Sequence, residues 1–403
     1  MTKKLNIFAV AFALMIANSL LAQTSQSYHV DNTVRIIRTY CSSLNQLSVL
    51  VPVPQTDQYQ TINNVTYNDG QLLSIPNTSN KYVRFFYTSE AIHTLSSIID
   101  VTVSFNAVLH PFVFDFSQIG TIYPYNTSSN EYQQNIGASG VYVIPDHPTI
   151  VSIAQNIWSS SSDIVDYARR CYEYVAQNYD YLYPYTGLHT LSRILADGGG
   201  DCGNLTSIYV SLLRNKSIPS RHVVTVRPDG SLHVWAEFYL ENYGWIPVDV
   251  TYKQSDPNGD YFGIYDGNGI VVSKGVYLTL EKTPGNSYQC AILQKYEWWY
   301  WHSNSNLCTE ITSQHIVNSV IQNGVDDNNI SAKVYPNPTK GEFTLEGEDL
   351  NHVRIVNVYG QTVHNANIEG EQTRIDLSKM AKGIYMMHIE ANGGQAVRKI
   401  VIE

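Results

Sequence analysis

Charge is scarce in this chain. Only 15% of its 403 residues are Asp, Glu, Lys or Arg, and the 25 basic residues are outnumbered by 35 acidic ones, for a net charge of −10. A nucleic-acid partner is therefore not expected, because phosphate neutralisation needs a basic surface. No C-x-x-C or H-x-x-x-H spacing supports zinc, and no glycine loop of the phosphate-cradling kind occurs. No internal repeat is visible. Asp256-Pro257-Asn258-Gly259-Asp260 imitates the start of a calcium loop, but Tyr261 stands at its sixth position and Gly267 at its twelfth, so a solvated turn is expected. No metal or other cofactor is implied. Beyond residue 22 no apolar run is long enough to cross a bilayer.

Cysteine is also sparing: five, an odd number. Cys290–Cys308 is the expected disulfide, with Cys41–Cys171 a weaker second pair, and one thiol stays free. Cys171 shares an apolar helical stripe with Ile164, Ala168, Tyr172 and Val175, so it also reads as a buried thiol. The hydrophobic fraction of 43% supports globular cores.

One cysteine has a distinctive setting. Gly198-Gly199-Gly200 cannot extend a helix cheaply, Asp201 is a favoured N-cap, and Leu205, Ile208, Tyr209, Leu212 and Leu213 then mark one face of a helix ending before Ser217-Ile218-Pro219. Cys202 thus falls in the first turn, where the helix dipole favours a thiolate and free amides can hold an oxyanion.

Downstream, Leu232, Val234, Ala236, Phe238 and Leu240 alternate with His233, Trp235, Glu237 and Tyr239, the period of a half-buried strand. Glu241-Asn242-Tyr243-Gly244 reads as a turn, and Trp245–Val250 as the returning strand. Pairing Leu240 with Trp245 would put Asp249 opposite Ala236, on the wrong face for His233. If Asp249 is to orient His233, the loop must hold three or five residues, or a bulge must intervene, with Asp249 opposite or diagonal to His233. Cys202, His233 and Asp249 are the candidate catalytic residues: nucleophile, base and orienting carboxylate. His222 and His189 have no carboxylate at a legible offset and read as core or surface histidines. Glu237 shares the face of His233, as a supporting partner or a solvated strand glutamate.

These segments resemble a known family. "GGGDCGNLTSIYVSLLRNKSIPSRHVV", "LHVWAEFYL" and "YGWIPVDVTY" are similar to the core of the transglutaminase-like superfamily, of papain-type fold. The resemblance covers roughly residues 160–255. It implies an α+β core in which the cysteine-bearing helix packs on an antiparallel sheet, with Cys202 as nucleophile, His233 as general base and Asp249 as orienting carboxylate. Thr206 and Val250 depart from the family pattern, at positions where a small residue and a proline are usual. A second oxyanion donor is not assigned; Tyr181, Tyr183 and Tyr185 lie upstream.

The ends carry further signals. Lys3 and Lys4, an apolar run from Ile7 to Leu21 and a small residue at Ala22 read as a signal peptide, residues 1–22, with no cysteine after the cut to carry a lipid. "KVYPNPTKGEFTL", "VRIVNVYGQTV", "IDLSKMAKGIYMMHIE" and "AVRKIVIE" resemble the C-terminal sorting domain of type IX secretion in Bacteroidota. Short β-rich runs between turn residues agree with a small β-sandwich over residues 333–403. Its expected core is Val334, Val353, Ile355, Val356, Val358, Ile375, Leu377, Ile384, Tyr385, Ile389, Ile400 and Val401.

Between the ends, residues 23–150 read as an N-terminal β-rich domain, 151–322 as the catalytic domain with a C-terminal extension, and 323–332 as a linker. Tyr296-Glu297-Trp298-Trp299-Tyr300-Trp301 reads either as an aromatic core strand beside a disulfide or as a platform for sugars. The resulting expectation is an exported thiol enzyme acting on amide bonds through an acyl-enzyme, as a peptidase or amidase. Protein-glutamine acyl transfer to amines, and non-catalytic peptide or glycan binding on the same scaffold, are the alternatives. The expected partners are a peptide or protein substrate, cell-wall peptides and glycoproteins included, and the type IX secretion machinery.

Overall fold

The computed structural model describes residues 25–321, 332–357, 362–368, 370–391 and 394–402. The expected signal peptide and nearly all of the expected linker lie outside the described residues. Two compact units emerge, Met1–Ile321 and Gln322–Glu403.

The first unit opens with two facing four-stranded sheets. In one, the strands run in the order Cys308–Ile321, Gln26–Cys41, Ile98–Leu109, Gln60–Tyr67. In the other the order is Glu297–His302, Leu44–Val53, Lys81–Tyr87, Gln71–Ser74. Alternating apolar residues fill the space between, among them Val34, Val49, Phe85 and Phe105. Strands at residues 297–321 thus complete sheets begun by residues 26–109, across the boundary drawn at residue 150.

After Leu109 the strand character expected up to residue 150 gives way. Pro111, Pro124, Asn126 and the Ser128–Asn130 run break the alternation. This segment instead runs beside the strands Ser220–Val226 and Leu232–Leu240: Tyr125 donates to the Tyr239 carbonyl at 2.8 Å and Ser220 N–H to the Asn135 carbonyl at 3.0 Å.

A third sheet is antiparallel throughout, in the order Gly244–Val248, Leu232–Leu240, Ser220–Val226, Ile270–Lys274. The helix Cys202–Asn215 packs on it, flanked by helices Pro148–Trp158, Ile164–Asn178 and Leu191–Asp197. The apolar stripe expected on this helix is fully buried. The sheet is not separate from the sandwich: Val224, Val226, Val234, Ile270 and Val272 belong to the same buried cluster as Val34 and Phe85. Hence the expected half-buried strand Leu232–Leu240 is corrected. It is covered on both faces, by the helix on the side of His222 and Val234, and by Tyr59 on the side of Trp235 and Glu237.

The disulfide is also corrected. Cys41 is bonded to Cys308, because the register of Gln26–Cys41 against Cys308–Ile321 sets these two residues opposite each other. Cys290 and Cys171 are buried free thiols, both pushed up by burial, Cys290 to about 12.

The second unit pairs Lys333–Tyr335, Glu342–Glu346 and Gln372–Asp376 in one sheet. Thr362–Asn367, Leu350–Asn357, Gly383–Ala391 and Gly394–Ile402 form another. Val353, Ile355, Ile375, Leu377, Tyr385, Ile389 and Ile400 are in its core as expected, joined by Phe343, Leu345 and Met387. The last strand turns Ile400 and Ile402 inward, so its period of two leaves Val401 half-exposed, contrary to the expectation. Val358 lies outside the described residues.

Candidate active site

The approach to Cys202 is built from glycine for two different reasons. Gly198 ends the helix Leu191–Asp197 in the left-handed region, φ 74°. Gly199 and Gly200 then pair in parallel with Asp180 and Tyr181. The approach is so close that a Cβ on Gly199 would sit 2.0 Å from the Asp180 carbonyl oxygen. Asp201 caps the next helix, accepting from Asn204 N–H at 3.2 Å and from its side-chain amide at 2.6 Å. Asn204 also binds the Gly187 carbonyl at 3.0 Å and accepts from His189 N–H at 2.9 Å, which ties the tyrosine-rich loop to the helix. Cys202 opens that helix and is half-buried. Thr206, one departure from the family pattern, is buried and donates back to the Cys202 carbonyl at 2.8 Å.

The hairpin has the three-residue loop: Leu240 pairs with Gly244 and Ala236 with Val248. Continued one step, that register sets Asp249 against Trp235, diagonal to His233 and on its face. His233 Nε2 donates to Asp249 Oδ2 at 2.5 Å, and both residues are buried. The other carboxylate oxygen, Oδ1, caps the short helix Val250–Ser255 by accepting from Thr251 and Tyr252 N–H at 3.0 and 2.9 Å. Cys202 lies near enough to His233 to act on the ring electrostatically. With Nε2 committed to Asp249, Nδ1 is the ring nitrogen left for the sulfur. Burial disfavours the imidazolium, but the Asp249 carboxylate outweighs it, and with the Cys202 contact raises His233 to about 10.

The other histidines are placed elsewhere. His222 is fully buried beneath the helix, its Nε2 near Ser207 Oγ (3.1 Å) and the Gly203 carbonyl (3.2 Å); burial, with Arg214, pushes it down to about 3, so it stays neutral. His189 packs edge-on against Tyr185 and contacts Arg193. Glu237 is not solvated: it is completely buried and receives Arg221 Nε at 2.6 Å and the Tyr59 hydroxyl at 2.9 Å, with Lys274 Nζ at 3.5 Å. Burial works against its charge, but Arg221 and then Lys274 hold the carboxyl below its usual range.

Three neighbours of the pair were not found in the sequence. Tyr252 stacks on the His233 ring, and its hydroxyl is bonded by Arg227. Asp266 lines the same cleft as His233, Asp249, Tyr252 and Tyr261. Burial raises the Asp266 carboxyl; its Asn268 backbone bond opposes this and the Asp249 charge adds to it. Proximity in sequence to Asp249 is the only signal for Tyr252; nothing marks Asp266 or Arg227. The Tyr296–Trp301 run forms an outer strand of its sheet. Trp298 packs on the main core and Trp299 on Tyr288, while Tyr300 is exposed.

Residues 151–250 match the family model described as the Transglutaminase-like superfamily, and residues 333–403 match that of the secretion system C-terminal sorting domain. No curated protein matches the chain. Among solved structures, a protein from Cytophaga hutchinsonii, provisionally called a cysteine protease, is similar over 75% of this chain and 92% of its own, at 12% identity and a TM-score of 0.53. The periplasmic domain of TgpA from Pseudomonas aeruginosa covers 59% of this chain and 91% of its own, at 16% identity and TM-score 0.29. Red sea bream transglutaminase covers 93% and 80%, at 11% identity and TM-score 0.26.

Proposed function

Residues 151–250 being a transglutaminase-like core on a chain with a secretion sorting domain, we propose that the protein is an exported thiol hydrolase of peptide or side-chain amide bonds. The observation that supports this reading is the Asp249 carboxylate bridging a helix N-terminus and His233, with Cys202, at the tip of its own helix, near enough to raise the His233 ring. An imidazolium held to about 10 keeps a proton through neutral pH, so the thiol proton has a resting place and the sulfur can attack as thiolate.

The thiolate adds to the amide carbonyl, and the electron pair of the C=O bond moves to oxygen. The Cys202 N–H, first of its helix, donates to that oxyanion. Tyr181 pairs with Gly200, two residues before Cys202, and its phenol is raised by burial and then by the Cys202 charge; we assign it as second donor. Collapse breaks the C–N bond, His233 delivers its proton to the leaving amine, and an acyl-enzyme remains. Water, giving a proton to His233, then releases the acid. The name given to the Cytophaga structure agrees with hydrolysis.

Mass spectrometry of a peptide mixture incubated with wild type and Cys202→Ala tests this directly. Cleavage or deamidation products that fall by at least about a thousandfold in the variant are expected. Crosslinked products would replace hydrolysis with acyl transfer, and equal products from both proteins would end the assignment. Tyr181→Phe is expected to lower kcat by about a hundredfold with KM little changed; an unchanged kcat would remove Tyr181 from the oxyanion site.

A further inference from the structure

The imidazole of His233 is gripped twice by one short helix. Asp249, the N-cap of Val250–Ser255, holds its edge. Tyr252, in the first turn, covers its face: the ring centroids are 4.8 Å apart and the planes 14° from parallel. Tyr252 is itself fixed. Its N–H donates to Asp249 Oδ1, Arg227 holds its hydroxyl, and Tyr261 packs against its ring edge-to-face at 5.3 Å. Tyr261 in turn accepts Asp249 N–H at its carbonyl and donates its own N–H to the Tyr172 hydroxyl at 2.9 Å. Two of the contacts that locate Tyr252, its N–H on Asp249 and its ring against Tyr261, therefore lead back to the carboxylate.

We propose that Tyr252 is a positioning residue for the thiol–imidazole pair, its ring setting the plane of His233 so that Nδ1 faces Cys202 and its π face favouring the imidazolium. The inference rests on the thiol-hydrolase reading. Without the stack, rotation about the His233–Asp249 hydrogen bond costs little, because a single hydrogen bond fixes a direction and not a plane. With it, rotation breaks the ring contact. A cation over an aromatic face is also stabilised by the ring quadrupole. The charged groups around His233 are Asp249 and Cys202 in contact, with Asp266 across the cleft and Arg227 at the far end of the phenol. Arg227 repels an imidazolium and Asp266 attracts one, so the face contact is not redundant with the surrounding charges.

The test is the pH dependence of Cys202 alkylation by iodoacetamide, read by mass spectrometry of the Cys202 peptide in the full chain. Wild type, Tyr252→Phe, Tyr252→Leu and a chain carrying pentafluorophenylalanine at 252 are compared. The wild-type midpoint is the reference, read against the free-thiol value of ~8.5. Tyr252→Leu is expected to raise it by about one unit, Tyr252→Phe to restore it, and the fluorinated ring, similar in shape to phenylalanine but reversed in quadrupole, to move it towards Leu. A Leu profile superimposed on wild type overturns the stack alone. So does a Phe profile displaced as far as Leu, which would transfer the effect to the Arg227–hydroxyl bond. If Tyr252→Leu fails to fold, the fluorinated chain decides by itself. A wild-type midpoint already at the free-thiol value overturns the hydrolase reading, and the stack with it.

Discussion

Asp249 meets two needs with two oxygens, and the needs can be separated. Asn in its place can still accept a helix N–H through its side-chain oxygen, but it has no charge to offer His233. The pH-dependent part of stability therefore belongs to the ion pair. His233 is raised when folded, from an ordinary 6.5 to about 10. Its contribution is then complete below about 6.5 and lost as pH rises through about 10. The melting temperature of wild type should exceed that of Asp249→Asn most at mildly acid pH, with the gap closing towards pH 10. A gap that widens with pH would mean His233 is not held as the cation. At this scale the sequence was informative wherever chemistry is local. Cys202 was legible because a glycine run, a cap and a helix stripe surround it. Asp249 was legible because strand parity constrains it. Tyr252, Arg227 and Asp266 were not, because their meeting depends on how a helix and a loop approach the sheet edge, which no periodicity encodes.

Among the elements, the Gly199–Gly200 pair is the least forgiving. A side chain at Gly199 meets backbone, not another side chain, and backbone cannot rotate aside. Gly199→Ala should destabilise the fold by about 2 kcal/mol or more, measured by chemical denaturation, and slow Cys202 alkylation because the helix tip is displaced. Stability equal to wild type would show that the Asp180–Gly199 contact is looser than described. The helix Cys202–Asn215 could be read residue by residue, since one apolar stripe between a cap and a proline leaves little choice. The strand Leu232–Leu240 was read with the right period and the wrong environment. Alternation of Val with Trp, Glu and His looks like one wet face. It became a dry one because Arg221, opposite Glu237 on the neighbouring strand, and the more distant Lys274 and Tyr59 satisfy Glu237.

For the molecule as a whole, the misplaced disulfide has the same origin. Cys290 and Cys308 are near in sequence, yet a strand pairing between residues 26–41 and 308–321 brings Cys41 to Cys308 over a separation of 267 residues. Closing so long a loop restricts the unfolded chain strongly. Cys41→Ser with Cys308→Ser should cost about 2–5 kcal/mol, seen as a lower denaturation midpoint that matches reduced wild type. Residues 151–322 expressed alone should fail to give a cooperative transition, since Val224, Val234 and Val272 would lose the sandwich side chains they pack with. A cooperative melt of that fragment would show that it folds without residues 23–150.

The pairing of the first strand with the last of the Met1–Ile321 unit also sets an order of events. A chain delivered amino end first has no partner for Gln26–Cys41 on one side until residues 308–321 arrive, and Cys41 waits as long for its sulfur. The sandwich core on which Val224, Val234 and Val272 pack is therefore closed late, after almost the whole unit has emerged.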